Sequence, residues 1–142
     1  MAVKKHKLTL SIEENYCLLG IVSDEPDYKV CWRINQTFGM SFEKLDDLQL
    51  YHRKLSAEQF FSLFWYPDED TMLTYRFIKN RSDQGYFLDE VKNLDYLIHI
   101  QGEIVTEKID LFIGLLGSLP SVRMCAPVDL GKIKDRARLI LW

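Results

Sequence analysis

Little in this chain interrupts or cross-links it. Four prolines, seven glycines and three cysteines are spread over 142 residues, with no repeat or low-complexity linker between them. Cys17, Cys31 and Cys125 are odd in number and far apart, and no CxxC pair or Cys/His cluster occurs, which argues against structural zinc. They read as unpaired small hydrophobes of a reducing cytosol. No run reaches the ~18 apolar residues of a membrane span; the longest, "IDLFIGLLGSL", is too short and carries Asp110. The basic start, "MAVKKHKLTLSIEEN", lacks the apolar core of a signal peptide. A cytoplasmic protein with no membrane contact is expected.

A surplus of positive charge is missing as well. Eighteen Lys and Arg stand against 21 Asp and Glu, a formal net charge of −3. Holding nucleic acid by its phosphates requires a basic surface, so nucleic acid is disfavoured as a partner. P-loop, nucleophile-elbow, HExxH and dinucleotide glycine motifs are all absent, and no cofactor or metal is implied.

What remains is an ordinary globular mixture, 47% hydrophobic and 27% charged, long enough for one domain with a real core. "HKLTLSI" alternates Leu8, Leu10 and Ile12 and predicts a first strand; "YCLLGIVS" predicts a buried second one. In "SDEPDYKVCWRINQTFG", Ser23 or Asp24 can cap, Pro26 suits a first helical position and Asp27 the positive helix end. Val30, Cys31, Ile34 and Phe38 follow at helical spacing and Gly39 can close the helix, predicted over 26–38. A short strand is expected around 45–51. "EQFFSLFWY" and "TMLTYRFIK" flank the turn chemistry of "PDED" and predict a β-hairpin. "NRSDQG" is a further turn, and Leu94–Ile100 a strand. Thr106 is a plausible cap for a helix with the stripe Ile109, Phe112, Ile113 and Leu116, in which Gly114 and Gly117 suggest close helix–sheet packing. Pro120 stops it, "SVRMCAPVD" is another strand, and the tail to Trp142 is mixed. The order β-β-α-β, β-hairpin, β-α-β gives an α+β fold: a mostly antiparallel sheet of six or seven strands and two main helices. Two helices cannot cover both faces, so one is expected to be partly open.

The hairpin is apolar on both sides. Phe61, Leu63 and Trp65 alternate with Phe60, Phe64 and Tyr66, and Tyr75 and Phe77 lie on the partner strand. An uncovered apolar patch tends to find a partner, so Phe61, Leu63, Trp65, Tyr75 and Phe77 form a candidate interface for a homo-oligomer or another protein. Tyr28 and Trp32 make a smaller patch, read as core edge. Open-sheet aromatics also suit single-stranded RNA, but the neighbouring "PDED" loop opposes it.

The segment "GYFLDEVKNLDYLIHIQGE" (Gly85 to Glu103) is the densest in ionisable groups. As an enzyme site, Glu90, Asp95 and His99 would converge with Arg76 or Arg81 as partner. Yet Asp95 and His99 on one strand are about 13 Å apart, too far for a direct hydrogen bond. As a structural staple, Asp89 would cap a helical turn, Glu90 would sit at its positive end, and Asp95 would accept from turn amides or Arg76. The staple is the simpler reading. "LDEVKNLDY", Leu88 to Tyr96, resembles the signature of the IPExxxVDY family: Leu88 stands for Ile, Glu90 matches, Leu94 stands for Val, and Asp95 and Tyr96 match, while Asp89 replaces the proline. "DYKVCWRIN", Asp27 to Asn35, is similar to that family too. The resemblance implies a small bacterial cytosolic protein of a family without an established activity, so it transfers no catalytic residue. The reading is a non-catalytic interaction or binding module. The alternatives are a small-molecule-binding protein or enzyme with a pocket near Glu90, Asp95, His99 and Arg76, and an RNA binder.

Overall fold

A computed structural model of the protein describes residues 9–140. Its centre is a six-stranded antiparallel sheet, spatial order β10-β1-β9-β6-β5-β2, formed by β1 (Tyr16–Val22), β2 (Glu43–Lys44), β5 (Leu63–Asp68), β6 (Leu73–Lys79), β9 (Tyr96–Gln101) and β10 (Met124–Pro127). Two short ribbons, β3 (Leu48–His52) with β4 (Ala57–Phe61) and β7 (Arg81–Ser82) with β8 (Gly85–Tyr86), stand outside it. The helices are α1 (Asp27–Phe38) and α2 (Thr106–Gly117). The α+β class and the antiparallel sheet are thus as expected. Of the predicted first strand, Leu8 lies outside the described residues, and residues 9–12 form no strand; Glu13 makes only an isolated bridge to Tyr16. Trp142 also lies outside them.

Strand β1 is apolar at nearly every position because it is covered on both faces, the pattern of a central strand. On one face Cys17, Leu19 and Ile21 join Ile98, Tyr75 and Phe77 under Val30 and Ile34 of α1 and Ile109, Phe112 and Leu116 of α2. On the other, Tyr16, Leu18, Leu97, Ile78 and Leu63 lie beneath Phe61, Phe87, Leu88 and Leu94 and the C-terminal residues Leu130, Ile133 and Leu139. The expected open face is therefore closed. Among the described residues no third α-helix closes it; a strand ribbon, an excursion over residues 80–95 and two 3₁₀ turns (Leu130–Lys132, Arg136–Leu139) do so.

Several local expectations change. The run "EQFFSLFWY" is two strands, broken at Ser62, whose hydroxyl donates to the Asp27 carboxylate and whose carbonyl accepts from Lys79 N. β4 leaves there to pair with β3, while β5 stays in the main sheet. The N-cap positions are Pro26 and Val105 rather than Ser23, Asp24 or Thr106, and neither makes a side-chain capping bond. Gly39, at φ 63°, closes α1 as a left-handed cap. Gly114 and Gly117 do not serve helix–sheet packing within the chain, since a Cβ at either would meet nothing within 4 Å. The close approach is at Gly20 in β1, where an added Cβ would overlap Leu94 Cδ1.

Gly20→Ala should therefore lower stability by about 1–3 kcal/mol through overpacking against Leu94. Combining it with Leu94→Ala should cost less than the sum of the two single changes, read from urea midpoints in a double-mutant cycle.

Candidate functional site

The segment that resembles a signature lies in the connection from β6 to β9, and one residue the sequence reading passed over anchors it. Asn80 is fully buried. Its amide donates to Asp95 O (3.0 Å), its carbonyl accepts from Phe87 N (2.9 Å), and its side-chain Oδ1 accepts from Leu88 N (2.9 Å). Its Nδ2 donates to Val91 O (2.9 Å) and Leu94 O (3.0 Å). A carboxylate could not replace it, because two of those bonds need donors.

Each signature residue then holds a different neighbour. Leu88 and Leu94 are buried, Leu94 against Gly20. Glu90 accepts from Lys134 N (3.0 Å) and so ties down the C-terminal segment. Asp95 Oδ2 accepts from Ser23 N (2.9 Å) while its amide donates to Ile21 O (2.9 Å). Tyr96 stacks on Phe77 at 4.9 Å between centroids, and its hydroxyl donates to Glu25 O (2.5 Å). Burial first, then the carboxylate of Asp27, pushes its phenol above the ordinary value. Asp89 departs from expectation: the 3₁₀ turn Asp89–Val91 has Leu88 at its N-cap position and no side-chain cap. Asp95 takes a backbone amide, not Arg76.

Glu90, Asp95, His99 and Arg76 do not form one pocket. Glu90 lines a cleft of about 650 Å³ with His52, Lys54, Lys134 and Arg138, whereas Asp95 lines a separate one of about 500 Å³. His99 and Arg76 are cross-strand partners within the sheet. His99 Nε2 donates to Leu139 O (2.9 Å) and its ring stacks on Tyr16; Arg76 Nη1 donates to Gln101 Oε1 (2.9 Å). Burial, reinforced by the Arg76 charge and opposed by the bond to Leu139, draws the His99 imidazole down to about 4. Arg138 in the larger cleft is fixed by Phe87 O (3.0 Å) and Gln59 Oε1 (2.6 Å), leaving little of it for a ligand.

The candidate interface is interior. Phe61, Leu63, Tyr75 and Phe77 are buried and Trp65 is half-buried. They also divide between the two sheet faces, Tyr75 and Phe77 under the helices and Phe61 and Leu63 under the irregular layer. Those four rings and side chains offer no face for stacking a base. Exposed apolar groups lie elsewhere: on the helices Tyr28 and Trp32 of α1, 61% and 57% exposed rather than core edge, and Leu111 and Leu115 of α2, 65% and 46%; off the helices Tyr51, Leu55, Phe60 and Met72.

The 500 Å³ cleft lies between the start of α1 and the excursion. Lys79, Arg81 and Lys92 line it around Tyr86, with the Arg81 guanidinium 5.7 Å and the Lys92 ammonium 5.6 Å from that ring's centroid. Arg81 lies opposite Tyr86 in the β7–β8 ribbon, across the turn expected at "NRSDQG". Burial pushes the Cys17 and Cys125 thiols up to about 12 and Cys31 higher still, so none is a poised nucleophile. Among the described residues no three His, Cys, Asp or Glu side chains group as metal ligands.

Asn80→Ala should cost about 2–4 kcal/mol, because it strands the buried Leu88 amide and two carbonyls, whereas Glu90→Gln should stay within about 1 kcal/mol. His99 is depressed from 6.5 to about 4 on folding, so the unfolded chain takes up the proton first. Its contribution is complete above pH 6.5 and is lost as the pH falls towards 4, by up to about 3 kcal/mol. His99→Gln should flatten that part of the stability–pH curve, measured by denaturant titration. Comparison with protein families, with curated proteins and with solved structures finds no match for this chain.

Proposed function

We propose that the protein is a non-catalytic interaction module of the cytoplasm that pairs with a second copy of itself through the outer face of α2. One observation carries this: Leu111 and Leu115 stand exposed on either side of Gly114, above which there is open space. Glycine inside an exposed helix costs about 1 kcal/mol relative to alanine, a cost offset where another backbone comes close. Two α2 helices crossing antiparallel about a two-fold axis midway between Leu111 and Leu115, next to Gly114, would set Leu111 of one copy against Leu115 of the other. Met124 on the adjacent β10 is a further exposed apolar group.

The dispersal of Glu90, Asp95, His99 and Arg76 supports the non-catalytic part, since proton transfer needs groups within hydrogen-bond reach. Free thiols at Cys17, Cys31 and Cys125 suit a reducing compartment, and among the described residues no helix is long and apolar enough to cross a membrane. The likeness of Leu88–Tyr96 to the IPExxxVDY pattern adds no activity to this reading. One helix stripe buries less than the ~1,200 Å² of a stable interface, so the pairing is weak, with Kd in the tens of micromolar.

Light scattering from about 5 to 200 µM should show mass rising towards a dimer. Leu111→Glu should abolish the rise without changing the melting temperature, and Gly114→Ala should weaken association while stabilising the monomer by about 0.5–1 kcal/mol. A monomer throughout, or a dimer indifferent to Leu111→Glu, would overturn the proposal.

A further inference from the structure

We propose that the 500 Å³ cleft between the start of α1 and residues 80–95 binds a small phosphate monoester or free phosphate as the dianion. The chain is acidic overall, yet three cations, Lys79, Arg81 and Lys92, converge here, and among the described residues none has a carboxylate within ion-pair reach. The three acids that line the same cleft each have another partner. Asp24 pairs with Arg123, Glu25 with Lys29 (3.8 Å), and Asp95 accepts from the Ser23 amide. The three cations repel one another, with no ion pair of their own to offset it, and a dianion entering between them lowers that repulsion.

The cations are also held in place. Arg81 and Lys92 each lie over the Tyr86 ring, whose negative face restrains them, and Arg81 Nη2 reaches the Tyr86 hydroxyl at 3.4 Å. Lys92 follows Val91, whose carbonyl is fixed by Asn80. One guanidinium and two ammonium groups match the three terminal oxygens of a phosphate, with the planar fork able to bind two of them. A volume of about 500 Å³ suits a small molecule rather than a polymer. Asp83, in the neighbouring cleft that Lys79 and Arg81 share, would repel a polyanion running past the rim.

The test is an amide ¹H–¹⁵N titration at fixed ionic strength with inorganic phosphate, glycerol phosphate and chloride. Saturable shifts at Tyr86 and Lys92 are expected with both phosphates at low millimolar Kd, and none with chloride. Affinity should rise from about pH 5 to 7 as the monoester loses its second proton. The double variant Arg81→Gln/Lys92→Gln should bind at least about tenfold more weakly, and Lys134→Gln in the other cleft should bind as the parent does. Should the double variant fail to fold, Lys79→Gln replaces it, with at least about threefold weakening expected. No saturable shift, equal shifts with chloride, or full binding by the Tyr86-cleft variants would overturn the proposal. Saturation by glycerol phosphate alone would place the recognised chemistry on the ester, and by both on the phosphoryl group; either result supports the site.

Discussion

The buried carboxamide of Asn80 is the constraint on which half of this molecule depends. It stands where the chain leaves β6, and its main-chain and side-chain polar groups all turn towards residues 87–95. Inside the protein an unmatched donor or acceptor costs more than a matched one gains, so a fully used carboxamide admits few other paths for the segment. The segment's course then determines where Leu88 and Leu94 enter the core, where Glu90 meets Lys134, and how Asp95 aligns the start of β9 with the end of β1. Asn35 plays the same part on a smaller scale after α1, exchanging two hydrogen bonds with Phe42.

The two sheet faces are closed by different physics. Under the helices the fit is apolar: a stripe on α1 and another on α2 lie against Cys17, Leu19, Ile98 and Phe77, and ring pairs such as Phe38–Phe112 and Phe64–Phe77 meet edge to face. On the far side, short irregular segments have too little periodic apolar surface to hold themselves, and single polar side chains hold them. Arg138 joins the C-terminal segment to β4 and to Phe87 O, lying over the Phe61 and Phe87 rings as it does so. Gln59, also buried, reaches Gln84 O at 2.9 Å. Apolar contact there is ample once the layer is in place, but its register is decided by hydrogen bonds.

That division explains what could be read from the residues. Helix α1 announces itself through Pro26, Asp27, the Val30–Ile34 spacing and Gly39, and the β5–β6 hairpin through β-branched and aromatic runs around a turn. Both signals are local and periodic. Gly20 and Asn80 are not legible in that way, because each is explained by one contact with a residue far along the chain, Leu94 in the first case and the 87–95 backbone in the second. The closed second face escapes the sequence pattern for a related reason: Leu130 and Leu139 sit on 3₁₀ turns and Ile133 just after one, with neither a helix's nor a strand's period. Alternation identified which hairpin residues share a side. It carried no information on what lay over each side, and the interface was therefore assigned to Phe61 and Phe77, which are fully buried.

The choice between a chemical site and a polar staple in residues 88–96 also changes meaning. Asp95 has one carboxylate oxygen committed to the Ser23 amide, Glu90 has one committed to Lys134, and the Tyr96 hydroxyl is committed to Glu25 O. Groups so used hold backbone in place. Lys92 is the opposite case. Asn80 fixes the carbonyls of Val91 and Leu94 on either side of it, so its backbone is placed without help from its own side chain, whose ammonium is left facing Tyr86. Ordering a flexible lysine is one of the larger entropic costs of binding an anion, and a backbone already fixed reduces it. On the proposal of a phosphate-class ligand, the staple is what makes the cleft: the polar residues of the signature build the wall, and the cations between and beside them meet the ligand.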